Sequence, residues 1–229
     1  MKVSSEFSKY AQYYGSYNVV QNMVADRLLL NVKSKPQTIL DLGCGSGALV
    51  KRIDWEYKRF VGVDFAKGML ELHPKADNIE CLFGDFNDDE LFKELSHYKF
   101  DYILSASALQ WADDLGAVFS SLQSFNAPFS FAIFTANTFK TLNETAGLEP
   151  LLRSSQEIEA LAKEHLNSYA MEIVEYRLEF ESTQEIFRYI KRSGVSGSRA
   201  LLSYKETKRL MQEYPTNSLE FEVAFIYSR

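Results

Sequence analysis

Several things this chain has little of narrow what it can be. Its 229 residues include only two cysteines, Cys44 and Cys81. That is too few for a disulfide framework, and no CxxC pair or His/Cys cluster is present from which a metal site could be built. The three histidines, His73, His97 and His165, fall in unrelated segments and compose no catalytic constellation. No apolar run approaches the roughly 20 residues that span a bilayer, and the opening MKVSSEFSKYAQYY lacks the apolar core of a signal peptide. A cytoplasmic setting without a membrane partner is the expectation. Cationic residues are also in deficit: 25 Lys and Arg stand against 31 Asp and Glu, a net charge of −6, which argues against general nucleic-acid binding.

The deficit is uneven. Residues 188–209 hold Arg188, Lys191, Arg192, Arg199, Lys205, Lys208 and Arg209 against the single acid Glu206. A surplus of six positive charges there leaves −12 for the rest of the chain. Local field rather than net charge steers encounter, so this segment reads either as a solvated helical face or as a docking surface for an acidic partner.

Apolar, β-branched runs recur at regular intervals at 37–42, 59–64, 79–84, 100–105 and 129–135. Helix-compatible segments lie between them at 46–53, 67–73, 88–96 and 114–124, and a longer one at 19–32 precedes them. Strands alternating with helices predict βαβ units and a mostly parallel sheet with helices on both faces. From about residue 138 the grammar changes. Helices are expected at 139–145, 155–166, 183–192 and 203–213, and the alternating stretches 168–182 and 218–228 read as an antiparallel pair that extends the sheet. The predicted fold class is therefore α/β: a Rossmann-like doubly wound sheet, mostly parallel, with an antiparallel C-terminal hairpin and helical lid insertions. One domain over 1–229 is expected, divided into N-terminal helices (1–35), a nucleotide-binding core (36–137) and sheet completion with a substrate lid (138–229).

The most informative phrase is ILDLGCGSGAL at 39–49. A strand feeding a glycine-rich turn lets a ligand approach where a Cβ would collide. In a doubly wound sheet, ligands bind beyond the carboxyl ends of the strands. Gly43, Gly45 and Ala48 satisfy the dinucleotide pattern GxGxx(G/A), with Asp64 ending the next strand where an acid would grip ribose hydroxyls, so a nicotinamide enzyme competes. Three features favour a cationic ligand over a diphosphate. Asp41 precedes the turn and would repel a diphosphate. Gly47 gives a GxGxG spacing that suits a ligand without pyrophosphate. Asp85, after the third strand, is placed to accept from an adenine amino group.

ILDLGCGSG, VGVD (61–64), FGDF (83–86) and FDYILSASALQW (100–111) occur in the order and spacing of class I methyltransferases that use S-adenosylmethionine, and over about residues 36–135 the chain resembles that family. The resemblance implies that Gly43, Gly45 and Gly47 line the methionine side, that Asp64 holds the ribose, and that Asp85 and Phe86 frame the adenine. Gln21, Asp41, Phe65 and Ser105 complete the implied cofactor set.

Over nearly its whole length the chain is also similar to the malonyl-acyl-carrier-protein O-methyltransferases of biotin synthesis. The residues that carry this are Phe7, Ala11, Tyr14 and Gln21 in the N-terminal helix pattern, ALQW (108–111), FTANTFKTLNE (134–144), STQEIFRYIKRSGVSG (182–197) and LSYKETKRLMQEYP (202–215). What this implies is methyl transfer to the free carboxylate of malonyl-loaded acyl carrier protein. A carboxylate that titrates near 4 is already ionised at neutral pH, so no general base is required. Positioning and desolvation are, and aromatic faces attract cationic methyl groups; Tyr10, Tyr14 and Trp111 are the expected positioning residues. Lys191, Arg192 and Arg199, around the SGVSGS turn, are the expected contacts for the acceptor, with one arginine on its carboxylate. A carboxyl methyltransferase for a free acid and a non-catalytic S-adenosylmethionine-binding protein are the alternatives left open.

Overall fold

The computed structural model describes residues 18–193 and 204–229. Ile39, Leu40 and Leu42, like the run 60–63, are apolar on both faces of the strand, the pattern of a parallel strand covered from two sides. They form the middle of a seven-stranded sheet ordered β3-β2-β1-β4-β5-β7-β6. β1 (Thr38–Leu42), β2 (Arg59–Asp64), β3 (Ile79–Phe83), β4 (Tyr102–Ala106) and β5 (Phe129–Phe134) are joined by parallel pairings. β6 (Tyr169–Glu179) and β7 (Ser218–Ser228) form the antiparallel pair that the alternation predicts, and β7 docks antiparallel on β5. The Rossmann-like α/β class read from the sequence is the observed one.

Side chains alternate along each strand and feed two cores. Ile39, Phe60, Leu104, Phe134 and Phe225 meet Val20, Val24 and Leu28 of α1 (Val19–Leu29) on one face. Ile186 and Tyr189 of α7 (Thr183–Ser193) join the same core. On the other face Leu40, Val61, Ile103 and Phe131 meet Leu91 of α3 (Asp89–Leu95), Phe119 of α4 (Leu115–Gln123) and Ile158 of α6 (Ser155–His165). Phe129, Phe131 and Phe119 stack in series, with ring centroids 4.7 and 6.0 Å apart. Short side chains do the capping: Asp88 and Asp114 accept from backbone N–H groups one turn in, and Ser154 with Glu157 closes a capping box on α6. The remaining helices are α2 (Lys67–Leu72), α5 (Lys140–Ala146) and α8 (Tyr204–Glu213).

One expected element differs. Residues 46–53 do not form a regular helix but a chain of turns, held by Lys51 N to Gly47 O at 3.2 Å and Arg52 N to Leu49 O at 2.9 Å. The reason is local: Gly43, Gly45 and Gly47 all have positive φ (79°, 52° and 83°), a region a right-handed helix cannot use. The strand order reverses between β1 and β4, and the crevice opens at their carboxyl ends.

Candidate cofactor site

The glycine turn reaches its position because the two glycines that start it have different tasks. Gly43 N and Cys44 N both donate to Val63 O, which ties the turn to the end of β2. A Cβ on Gly43 would lie 2.1 Å from Ala108 Cβ, so the loop after β4 packs against bare backbone. A Cβ on Gly45 would meet nothing within 4 Å. This glycine lines the cleft, and its N–H donates to Asp64 Oδ2 at 2.9 Å. Asp64 Oδ1 accepts from Ala66 N at 2.8 Å, so backbone donors fix the carboxylate from both oxygens and lone-pair capacity remains for a ligand. Burial raises the Asp64 carboxyl above the usual range, and the hydrogen bonds from Ala66, Gly45 and Phe65 pull it back.

The cleft gathers Gln21, Gly43, Gly45, Asp64, Phe65, Phe86 and Trp111 of the expected residues. Of the expected residues that the structure describes, Asp41, Gly47, Ser105 and Asp85 are not among its lining. Asp41 lies behind the wall, 1% exposed, with neither oxygen hydrogen-bonded among the described residues. Burial first, and the nearby Asp64 second, hold its carboxyl well above the ordinary value. Ser105 is fully buried and donates to Leu42 O at 2.6 Å, stitching β4 to β1 rather than facing the cleft. Gly47 is required by packing: a Cβ there would sit 2.5 Å from Pro74 Cδ and 3.1 Å from His73 Cδ2. Asp85 is exposed, its Oδ1 accepting from Asn87 N and Asn87 Nδ2 in a side-chain turn. Tyr10, Tyr14 and Arg199 lie outside the described residues, as do the side chains of Lys191 and Arg192 at the end of α7.

The histidines stand apart. His73 is buried behind the turn with Nδ1 on Pro74 O, and burial lowers its pKa. His165 pairs with Ser120 across α4 and α6, and His97 is exposed after α3.

Sequence reasoning missed Asn18, Asn22, Ser107 and Arg52, which also border the cleft. Arg52 binds Asp26 at 2.7 Å, Asn22 Oδ1 at 2.9 Å and Ala48 O at 2.8 Å, locking the glycine turn to α1. Pairing over a 30-residue separation leaves no local sequence signal. Asn18 Oδ1, Gln21 Oε1 and Ser107 Oγ are buried without hydrogen-bond partners among the described residues. Buried polar atoms are rarely left so. Two acceptors and a hydroxyl beside Asp64, with Asp41 behind, form a donor-seeking wall. It fits the ammonium and ribose hydroxyls of S-adenosylmethionine better than a diphosphate.

Comparison with known proteins agrees. Residues 40–128 match a family model described as a methyltransferase domain. That segment is a methyltransferase domain, and the chain is similar to S-adenosylmethionine-dependent methyltransferases. Its cofactor is S-adenosylmethionine. Among sequence relatives of this methyltransferase, the malonyl-[acyl-carrier protein] O-methyltransferase of Acetivibrio thermocellus is 34% identical over 60% of this chain and 50% of its own length. Malonyl-[acyl-carrier protein] O-methyltransferase 2 of Ilyobacter polytropus is 27% identical, over 94% of this chain and 90% of its own. The match to the Acetivibrio protein thus spans only half of that relative.

Solved structures with the same fold include the YcgJ protein of Bacillus subtilis, with a TM-score of 0.62, 15% identity, and 90% of this chain and 97% of that one covered. Phosphoethanolamine N-methyltransferase 2 of Haemonchus contortus, in complex with S-adenosyl-L-methionine, has a TM-score of 0.60 at 15% identity, covering 97% of this chain and 57% of that one. No helix among the described residues is long and apolar enough to cross a membrane.

Proposed function

We propose that this methyltransferase esterifies the free carboxylate of a malonyl thioester carried on acyl carrier protein, the step that primes pimeloyl synthesis for biotin. The supporting observation is the likeness to proteins named malonyl-[acyl-carrier protein] O-methyltransferase, which in the Ilyobacter case runs over 94% of the chain. When bound, S-adenosylmethionine supplies a sulfonium-activated methyl group; its transfer to a carboxylate oxygen forms one O–C bond, breaks one C–S bond and leaves S-adenosylhomocysteine, with no proton to move.

In this reading Asp64 holds the ribose hydroxyls through its remaining lone pairs, and Gly45 lets the ligand lie against the turn. Phe65 and Phe86 bracket the base. Gln21 and Asn18 offer their unpartnered oxygens to the methionine ammonium, and Asp41 adds negative potential from behind. Trp111, with Tyr10 and Tyr14 of the N-terminal segment, presents aromatic surface to the cationic methyl and excludes water. The basic run 188–209, including Lys191, Arg192 and Arg199, docks the acidic carrier.

Incubation with labelled S-adenosylmethionine and, in parallel, malonyl-carrier protein, malonyl-coenzyme A and free dicarboxylic acids tests this. Label on the malonyl thioesters is the expected result. Label on free acids alone would replace it with a small-molecule carboxyl methyltransferase.

A further inference from the structure

A second cavity, of about 530 Å³, adjoins the cofactor cleft, and Trp111 lines both. Its wall includes Gln110, Asp113, Arg153 and Glu157, and Arg153 is its only cation among the described residues. The segment after β5 carries Arg153 there, anchored by Ala136 N on Arg153 O at 2.8 Å. The guanidinium is held from one end: Nη2 donates to Ala112 O and to Asp113 O, both at 2.8 Å. Arg153 forms no ion pair and no other side-chain hydrogen bond among the described residues. Its Nε and Nη1 have no partner among the described residues; they face opposite sides of the guanidinium, so each offers a carboxylate a single charge-assisted hydrogen bond. Beside it, Trp111 Nε1 is a buried donor and Gln110 Oε1 a buried acceptor, each without a partner among the described residues.

The two acids set the other half of the specificity. Glu157 Oε2 is engaged by Ser154 N and Ser154 Oγ, both at 2.7 Å, so it stays in place at the start of α6. Asp113 is exposed on the same rim. One cation against two carboxylates leaves this wall net negative, so Arg153 is the one lining group among the described residues that attracts an anionic end. A second anionic end would be brought against Glu157 or Asp113, and repulsion of that kind discriminates as effectively as attraction.

We propose that this cavity is the acceptor subsite: Arg153 holds the acceptor's one carboxylate beside Trp111, while Gln110 and Trp111 meet neutral amide or thioester groups, and dicarboxylates are rejected. The assignment rests on the malonyl-thioester reading above and deepens it. A malonyl thioester has one free carboxylate and a neutral hydrogen-bonding arm, whereas free malonate has two charges.

The test uses the full chain saturated with S-adenosylhomocysteine, with malonyl-pantetheine and malonate as titrants and turnover on malonyl-carrier protein measured alongside. Arg153→Gln should weaken malonyl-pantetheine binding at least about tenfold and raise KM for the carrier substrate similarly, since a charge-assisted hydrogen bond is lost. Arg153→Lys, which keeps the charge but not the paired anchoring on Ala112 O and Asp113 O, should fall between. S-adenosylhomocysteine affinity and Tm serve as the folding control. Wild type should bind malonate at least about tenfold more weakly than malonyl-pantetheine, and Asp113→Asn should narrow that gap by relieving the repulsion. An unchanged KM and affinity in Arg153→Gln, malonate bound as tightly as malonyl-pantetheine, or no binding of malonyl-pantetheine by wild type would each overturn the assignment. The first two leave the acceptor itself standing. Absence of turnover on every malonyl thioester would instead overturn the acceptor reading, and the affinity comparison still judges the cavity.

Discussion

Asp41→Asn should make the ligand-free protein more stable and the cofactor complex weaker. Asp41 is 1% exposed, neither oxygen is hydrogen-bonded among the described residues, and both burial and Asp64 push its carboxyl well above its usual value. A raised folded carboxyl costs about 1.4 kcal/mol for each pH unit between its usual value near 4 and the folded one, so the burden at pH 7 is at most about 4 kcal/mol. Asparagine removes the charge but leaves an unpaired buried amide, which itself costs about 1–3 kcal/mol. The net gain is then at most about 1–3 kcal/mol, and at about 2–4 °C per kcal/mol for a chain of this size Tm should rise by no more than about 12 °C.

The sign with pH follows from the raised carboxyl. The folded protein retains a proton that the unfolded chain has released, so stability falls as pH climbs from about 4 towards the folded value. The advantage of Asp41→Asn should therefore widen over that interval. Cofactor binding should behave oppositely, because a cation prefers the ionised form: wild-type affinity should tighten with rising pH. Asp41→Asn should lose at least about tenfold in affinity, or about 1.4 kcal/mol. Thermal melts from pH 5 to 8, with S-adenosylmethionine titrations at the same pH values, read both quantities. A lowered Tm in the ligand-free variant, or unchanged cofactor affinity, would refute the reasoning.

Gly43→Ala should destabilise the fold severely, because its Cβ would lie 2.1 Å from Ala108 Cβ at a φ of 79°; thermal melting of the free protein checks this. Gly45→Ala meets no atom within 4 Å, so it should lose only about 1–2 kcal/mol of stability to backbone strain while its cofactor Kd rises, the two being separated by melts and titration. Asp64→Asn sets an amide nitrogen against the N–H of Gly45 or Ala66 and should cost about 1–3 kcal/mol together with cofactor affinity, measured in the same two assays. Replacing Lys191, Arg192 and Arg199 together by Ala should flatten the salt dependence of kcat/KM for malonyl-carrier protein and leave that for malonyl-pantetheine unchanged, since rim charges act chiefly on encounter.

The sheet was legible because its signals are local and repeated. Apolar doublets such as Val61 and Val63 mark strands covered on both faces, and the expected strand over 59–64 is β2 itself. The helix expected over 46–53 failed because GxGxG reads as the start of a helix, whereas three positive φ values belong to a turn. Chemistry at short range was likewise legible: the glycines with Asp64 pointed to a nucleoside, and the cleft does gather Gly43, Gly45 and Asp64.

What each residue does once there is another matter. Gly47 looks like Gly45 on paper, yet only the packing of Pro74 and His73 against it shows that it serves the scaffold. Ser105 carries the residue type of a ligand site, but its hydroxyl donates to Leu42 O, whereas Asp85 commits only Oδ1 to the turn at Asn87. Arg153 carries no motif at all. By itself the sequence determined the sheet, the glycine turn and the class of ligand, because these follow from periodicity and from backbone freedom at neighbouring residues. Tertiary structure alone decided which polar atoms remain unpaired and which cavity holds an arginine, because those depend on partners 19 to 41 residues away, such as Asp64 at Gly45 and Ala112 at Arg153.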